Sequence, residues 1–376
     1  MPEIFNHHFT RSELTRHVGD TSQLFGVDLV THEDGPERGL RVLRFRTGGG
    51  LELEVLVDRA MDVGAMSVCG VPLGWRSGNG FRHPWLHEHD AEGGLGWLRS
   101  FSGLVNTCGL DHIMGMAEEG ADHFNYPYRA RVAHGIHGRV AFTPARLQGF
   151  GERWDGDDCV LHAEGTVRQV TMFGENLELA RRIEATVGGR TVKITDRVTN
   201  LGYRTTPHAL LYHVNAGWPV VAAESRLSLP LERTVYHAHD PHATSIGPLE
   251  QAAPQVGFRE QVYEHALRRR ADGMVPVLLA NPDFGGLSGS RGIGLAMRYD
   301  GRSLPAFYQW QNLHEGDYVI GIEPATCHAG SREDWKKRNE MIWLEHGDSR
   351  EYRLELEGVV GEAALEAMVD EIDGLR

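Results

Sequence analysis

The chain has 376 residues, 41% of them apolar and 24% charged, which is ordinary globular usage and enough to bury a large core in two domains or in one large β domain. A formal charge of -14 and the lack of any basic run longer than Arg268-Arg269-Arg270 argue against nucleic acid or an anionic membrane as partners, since both need concentrated Lys and Arg. Met1 to Asp20 is too polar to contain the apolar core of a signal peptide, and no stretch of about 18 apolar residues occurs, so a cytoplasmic location is expected.

Thr10-Arg11-Ser12-Glu13 has capping-box spacing, with Leu14 and Val18 on one face and Gly19 as a stop, and predicts a short helix over 10–19. The pattern then changes to period two. Leu51 to Val57 alternates and then loses its alternation, as expected of a strand that enters a covered region. Asp58-Arg59 ends it, and Arg59 either closes a turn through a salt bridge or reaches a ligand carboxylate or hydroxyl.

Residues 70 to 130 are rich in Gly, Trp and His and read mostly as long loops, which in a compact domain are often functional. Trp75, Trp85 and Trp97 offer flat apolar faces that either cover a sugar ring or plug the ends of the core. His83, His87 and His89 with Glu88 invite a metal reading, but Pro84 breaks the local helix that would align His83 with His87. Further on, Asn106 to His112 and His134 to Val140 each combine glycine with polar side chains. In an extended segment His137 and Arg139, two residues apart, would point to one side, with the flanking glycines allowing close approach of a ligand. The alternative is a glycine-rich turn with solvated polar residues.

Leu177 to Val187 and Arg190 to Asn200 are strand-like runs joined by Gly188-Gly189, a hairpin signal. More β signal follows at 226–231, 275–280, 293–299, 307–310 and 352–359, while helical spacing returns only at Glu362 to Ile372. The chain is therefore mainly β. Without repeats or a Pro/Ser-rich linker, residues 1–376 read as one domain, with 1–40 as N-terminal helix and lead-in, 360–376 as C-terminal helix, and 238–262 as an irregular, polar surface excursion. Cys69, Cys108, Cys159 and Cys327 are far apart and show no CxxC spacing, so neither a zinc knuckle nor a disulfide framework is expected.

Two positions in the apolar runs need a reason. His213 follows Ala209-Leu210-Leu211-Tyr212 and precedes Asn215 and Gly217, which puts it at the end of a buried strand; a buried His is ordinarily a hydrogen-bonded core residue. Glu323 lies in Val319-Ile320-Gly321-Ile322-Glu323-Pro324. A carboxylate there is either paired with an Arg that holds two strands together or kept for chemistry. Pro324 cannot donate to a ladder, so the strand is expected to end there and present Glu323 at a sheet margin.

Taken together, His137-Gly138-Arg139, Asp196 to Asn200, Leu210 to Gly217 and Gly321 to Thr326 are similar, in order and type, to the motifs of the galactose mutarotase-like superfamily, and closest to an uncharacterised aldose-1-epimerase-like branch. The resemblance spans residues 50 to 360 and implies a β-supersandwich with short terminal helices and a sugar-binding cleft across one concave sheet. Carried over, Glu323 is the general base on the anomeric hydroxyl and His213 the general acid on the ring oxygen. His137 would hold the sugar, helped by Arg139; Arg59, Asn106, His112, Asn215 and Gln311 are the further substrate-binding candidates, and Asp111 and Asp317 those for distant hydroxyls. Gln309 and Gln311 either hydrogen-bond a sugar beside Trp310 or simply flank a core Trp.

Hemiacetal opening needs one group to take the O1 proton and another to protonate O5, a task suited to a partly desolvated Glu and a His. The resulting expectation is an isomerase acting on a small-molecule sugar or sugar derivative, without metal or nucleotide cofactor, and with homodimerisation left open. Two alternatives remain: a keto-sugar isomerase, epimerase or lyase in which His112, His134, His137 and His213 gather a divalent metal, or a non-catalytic sugar-binding protein.

Overall fold

In the computed structural model, which describes residues 1–124, 128–238, 246–286, 289 and 291–375, antiparallel strands form three principal sheets of eight, seven and five strands. The five-stranded sheet takes Gly26–Thr31, Arg41–Arg46, Leu51–Leu56, Asp62–Val68 and Val71–Pro72 in chain order. The eight-stranded sheet begins with Arg146–Asp155, Asp158–Val170, Asn176–Thr186 and Thr191–Asn200. In Asn176–Thr186 every second side chain is buried, as expected where one face covers the core and the other meets solvent. Its hairpin turn is centred on Val187-Gly188 rather than Gly188-Gly189: the Gly189 amide donates to the Thr186 carbonyl and Gly188 takes φ +83, the third position of a type II turn.

The seven-stranded sheet runs Leu231–His237, Gln261–Leu267, Ala306–His314, Asp317–Ala325 and Thr206–Ala216, the last also pairing with Val105–Leu110 and Ile342–Leu344. Every residue of Thr206–Ala216 is buried. Leu210, Tyr212 and Val214 look into the main core, whereas Ala209 and Leu211 join a second apolar cluster with Tyr308, Cys327 and Trp335. Coverage of both faces explains why the segment reads as a continuous apolar run.

A buried ionic lock ties the three sheets together. Arg181 donates to Asp196 at 2.9 and 2.6 Å, to Asp62 Oδ1 at 3.1 Å and to Thr107 Oγ1 at 2.8 Å, while the Tyr212 hydroxyl donates to Asp196 Oδ2 at 2.6 Å. Burial alone would lower the Arg181 guanidinium, but the Asp196 carboxylate outweighs it and holds it charged. Asp196 and Asn200 of the Asp196 to Asn200 motif are thus structural; Asn200 Nδ2 donates to the Arg204 and Leu344 carbonyls, each at 2.8 Å.

Both terminal helices form, Arg11–His17 with the Thr10/Glu13 capping box and Glu362–Asp373 with Leu365, Met368 and Ile372 packed on Leu278 and Ala296. Helix is not confined to the ends, because Ser331 and Asp334 form a second capping box that starts Arg332–Lys337. Residues 70 to 130 are not all loop: Val105–Leu110 is a buried strand paired with Thr206–Ala216. Pro324 does not end its strand, since Asp317–Ala325 continues through it with Phe307 as partner. Glu323 consequently lies inside the sheet rather than at its margin. Of the 238–262 excursion, 239–245 lie outside the described residues. The part from 246 onward packs Ile246, Leu249 and Phe258 against the core and so is not purely a surface feature. No helix is long and apolar enough to cross a membrane among the described residues.

Candidate active site

Val214 pairs with Ile322 and Leu211 with Ala325 across Thr206–Ala216 and Asp317–Ala325, a register that sets His213 opposite Glu323 on one face. His213 Nε2 lies 3.2 Å from Glu323 Oε1, off the ideal hydrogen-bond direction, so that Oε1 has no fully formed partner. The partner of Glu323 is this imidazole, and among the described residues no Arg is ion-paired to it.

Asn215, two residues along the same face, fixes the tautomer. Its Nδ2 donates to the Gly103 and His213 carbonyls at 3.0 and 3.1 Å, which leaves Oδ1 to accept from His213 Nδ1 at 2.6 Å. The His213 proton is therefore on Nδ1, and the Nε2 lone pair faces Glu323. Burial pushes Glu323 up to about 8, with Glu260 adding to it. Burial also pushes His213 well below the usual imidazole value, reinforced by His137 and only partly offset by the Asn215 hydrogen bond. Near neutrality the pair holds one proton between two neutral groups, separated by one short proton transfer from carboxylate and imidazolium.

The space in front of the pair exists because residue 321 is glycine. A Cβ there would meet Glu323 Oε1 at 2.5 Å, His213 Cε1 at 3.1 Å and Trp310 Cβ at 3.1 Å. An aromatic cap closes it. Trp97 stacks on Phe101 at 4.1 Å between centroids, Phe101 lies 4.8 Å from the His213 ring, and Trp310 lies 5.5 Å from both His213 and Phe101. With this cap in place His213 and Glu323 are each only 4% exposed.

The structure brings His137, Asn106 and Arg59 to the pair. The His137 ring is 5.5 Å from His213 and 4.5 Å from Trp97, its Nδ1 is buried without a partner, and burial pushes it down to about 3. Asn106 pairs directly with His213, and its Oδ1 accepts from Arg59 Nη2 at 3.1 Å. His137 has φ +58, so the segment is a turn and not the extended run that would align His137 with Arg139. Arg139 instead donates to Thr171 Oγ1 at 3.1 Å and lies 3.3 Å from Glu175. His112 sits one step back, its Nε2 on the Gly115 carbonyl at 2.7 Å and its ring 4.9 Å from His134. Asp111 is buried against Gln169 and His134, and Asp317 is exposed at a strand start.

Gln311 is not in the site. It pairs with Gln261 on the opposite face of the sheet from Trp310, and its Nε2 donates to the Glu250 carbonyl at 3.1 Å; Gln309 does the same to Pro248 at 2.5 Å. Of the three loop tryptophans only Trp97 touches His137 and His213; Trp75 packs behind Phe101 and Trp310, and Trp85 is 81% exposed. Of the histidines offered as metal ligands, three are turned to other partners: His134 lies between Asp111 and Glu119, His83 accepts from the Trp85 amide and His112 meets the Gly115 carbonyl. Among the described residues no three His, Cys, Asp or Glu side chains converge as metal ligands would.

Solved structures share this architecture. A Klebsiella pneumoniae protein described as a candidate aldose 1-epimerase superposes with a TM-score of 0.82 at 21% identity, covering 94% of this chain and 90% of its own. Galactose 1-epimerase from Lactobacillus acidophilus gives 0.55 at 13% identity over 89% and 99%, and a galactose mutarotase-like protein from Clostridium acetobutylicum 0.54 at 14% over 88% and 98%. The fold is galactose mutarotase-like. Residues 37–357 match the model of the family described as Domain of unknown function (DUF4432), and the chain belongs to that family. No curated protein matches it in sequence.

Proposed function

We propose that this chain is a carbohydrate mutarotase of the aldose 1-epimerase type, an isomerase that interconverts sugar anomers by ring opening. The observation that carries the reading is the 3.2 Å approach of His213 Nε2 to Glu323 Oε1 on adjacent strands, in an enclosed site where burial brings the carboxyl to about 8 and leaves the imidazole neutral. A carboxyl with a raised pKa beside a tautomer-locked histidine suits proton exchange and has no purpose in mere binding.

In the proposed cycle the sugar places its O1 hydroxyl at Glu323 and its ring oxygen at His213. The shared proton moves from Glu323 to Nε2, giving carboxylate and imidazolium. Glu323 then takes the O1 proton while His213 protonates O5; the C1–O5 bond breaks and C1 becomes a carbonyl. The pair is again neutral acid and neutral base. Rotation about C1–C2 and the reverse transfers close the ring on the other face, so protons and electrons balance without any co-reactant. Asn215 keeps Nδ1 protonated throughout and aims Nε2, as in other sites where a hydrogen-bonded orienting group sets the histidine tautomer. Each positioned group is expected to contribute roughly 10²- to 10⁴-fold.

The test is exchange-spectroscopy NMR of α and β anomers over a panel of aldoses, comparing wild type with Glu323→Gln. Enzyme-dependent saturation transfer that disappears in the variant is the expected result. No enhancement for any sugar would overturn the reading. Sugar binding in both proteins without exchange in either would identify a non-catalytic binding protein.

A further inference from the structure

Arg59 is only 2% exposed, and its guanidinium is half used: Nη2 donates to Asn106 Oδ1 at 3.1 Å, whereas Nη1 is buried without a partner. The carboxylate in its field, Asp62, already accepts from Arg181 Nη1 and from the Thr107 amide and hydroxyl. Asp62 thus balances the charge of Arg59 without accepting from its Nη1, and a buried N–H of a charged group left without an acceptor is costly. Nor is Arg59 isolated. Arg82 Nε is likewise buried without a partner, and after burial itself the charges of Arg82, Arg99 and Arg59 all depress the His87 imidazole, so cations gather along this wall, although Arg99 is already paired with Glu92 at 3.1 Å.

The order of the strands places this wall relative to the chemistry. Glu323, His213 and Asn106 occupy three successive strands on one face, at a spacing of about 4.8 Å from strand to strand. With O1 at Glu323 and O5 at His213, the next atoms in the same direction are C5 and the substituent it carries. That substituent meets Asn106 and Arg59. We propose that the substrate is an aldose carrying an oxyanion on C6, a carboxylate, phosphate or sulfonate, and that Arg59 receives it. The placement rests on the mutarotase reading, which sets the ring oxygen at His213. An oxyanion accepts from both Nη atoms in the fork geometry that guanidinium offers and ammonium does not.

The experiment measures anomer exchange for glucose, glucuronate, glucose 6-phosphate and 6-deoxy-6-sulfoglucose in wild type, Arg59→Lys and Arg59→Met. Expected is a kcat/KM preference of at least about 100-fold for one or more anionic sugars over glucose, because a site built around a polar contact rejects analogues that lack it. That ratio should fall about tenfold in Arg59→Lys and vanish in Arg59→Met. Equal kcat/KM for glucose and all three anionic sugars, or a parallel fall for every sugar in Arg59→Met, would overturn the inference while leaving the mutarotase reading standing. Calorimetry with the corresponding methyl glycosides, which cannot open, judges it separately on wild type and both folded variants. Arg59-dependent binding of an anionic glycoside supports the inference even if no sugar is turned over and the mutarotase reading falls; failure of every anionic glycoside to bind better than methyl glucoside overturns it.

Discussion

Glu323→Gln separates the proposed acid–base role of this residue from its cost to the fold. The ordinary carboxyl value is 4.5 and burial raises it in the folded state to about 8, so between those values the native protein binds more protons than the unfolded chain. Stability contributed by such a group is present at low pH and is lost as pH rises, until the folded carboxyl itself ionises. At about 1.36 kcal/mol per pKa unit, the loss is about 1 kcal/mol at pH 5, about 3 kcal/mol at pH 7 and about 5 kcal/mol above pH 9. Gln is nearly isosteric and cannot ionise. The variant should therefore gain on wild type by these increments as pH rises, while its anomer exchange falls about 10²- to 10⁴-fold. Urea unfolding of both proteins at pH 5, 7 and 9 measures the difference. A difference that does not change with pH would mean that Glu323 is ionised in the folded protein at neutrality, and the argument for a shared proton would fail with it.

Wild-type kcat should decline above pH of about 8, where the pair loses its one proton, and hold well below pH 6.5 because His213 resists a second; a rise toward high pH would contradict this. Asn215→Leu removes the acceptor that fixes His213 Nδ1–H and should lower kcat about 10- to 100-fold with little change in KM, with a mixed tautomer visible by nitrogen NMR. Gly321→Ala puts a methyl group 2.5 Å from Glu323 Oε1 and should cost at least about 100-fold in kcat/KM, by analogy with small displacements of reacting groups. Asp196→Ala strands the Arg181 guanidinium and should lower unfolding free energy by about 3–5 kcal/mol, read as a lower urea midpoint.

The central strands were legible from the sequence because their residues are apolar on both faces or alternate cleanly, and the two intruders, His213 and Glu323, stood out against that background. What was hidden is what comes from partners distant in the chain. Pro324 looks like a strand end when only its missing N–H is considered, but its place in the ladder is set by Phe307. Gln311 and Trp310 adjoin in one strand and so must face opposite sides, but only the pairing of Trp310 with Gly321 shows which of them meets the site. Val105–Leu110 was masked by the glycine and tryptophan around it, which belong to loops folded over the site. Phe101 carries only a faint signal, its place in Trp97-Leu98-Arg99-Ser100-Phe101 beside a loop tryptophan. Gly321 gave none, since a glycine needed for open space in front of a side chain resembles a glycine needed for nothing.

The same burial explains both the chemistry and its access. His213 and Glu323 acquire complementary proton affinities because Trp97, Phe101 and Trp310 exclude water from them, and an open cleft would return both groups toward their ordinary values. Under the proposed mutarotase reading, a sugar would have to displace part of that cap to reach the pair, and its own ring would then take over the exclusion of water. In that reading the strands supply the reacting atoms, while the segment from Trp97 to Phe101, anchored by Ser77 Oγ on the Phe101 carbonyl at 2.6 Å and Asn79 Nδ2 on the Leu98 carbonyl at 3.0 Å, would set what can enter. On the proposed reading, selectivity would be carried by residues that touch neither O1 nor O5: the aromatic cap, which would select a flat apolar ring face, and Arg59, whose unpartnered Nη1 would select the charge at the ring's far edge.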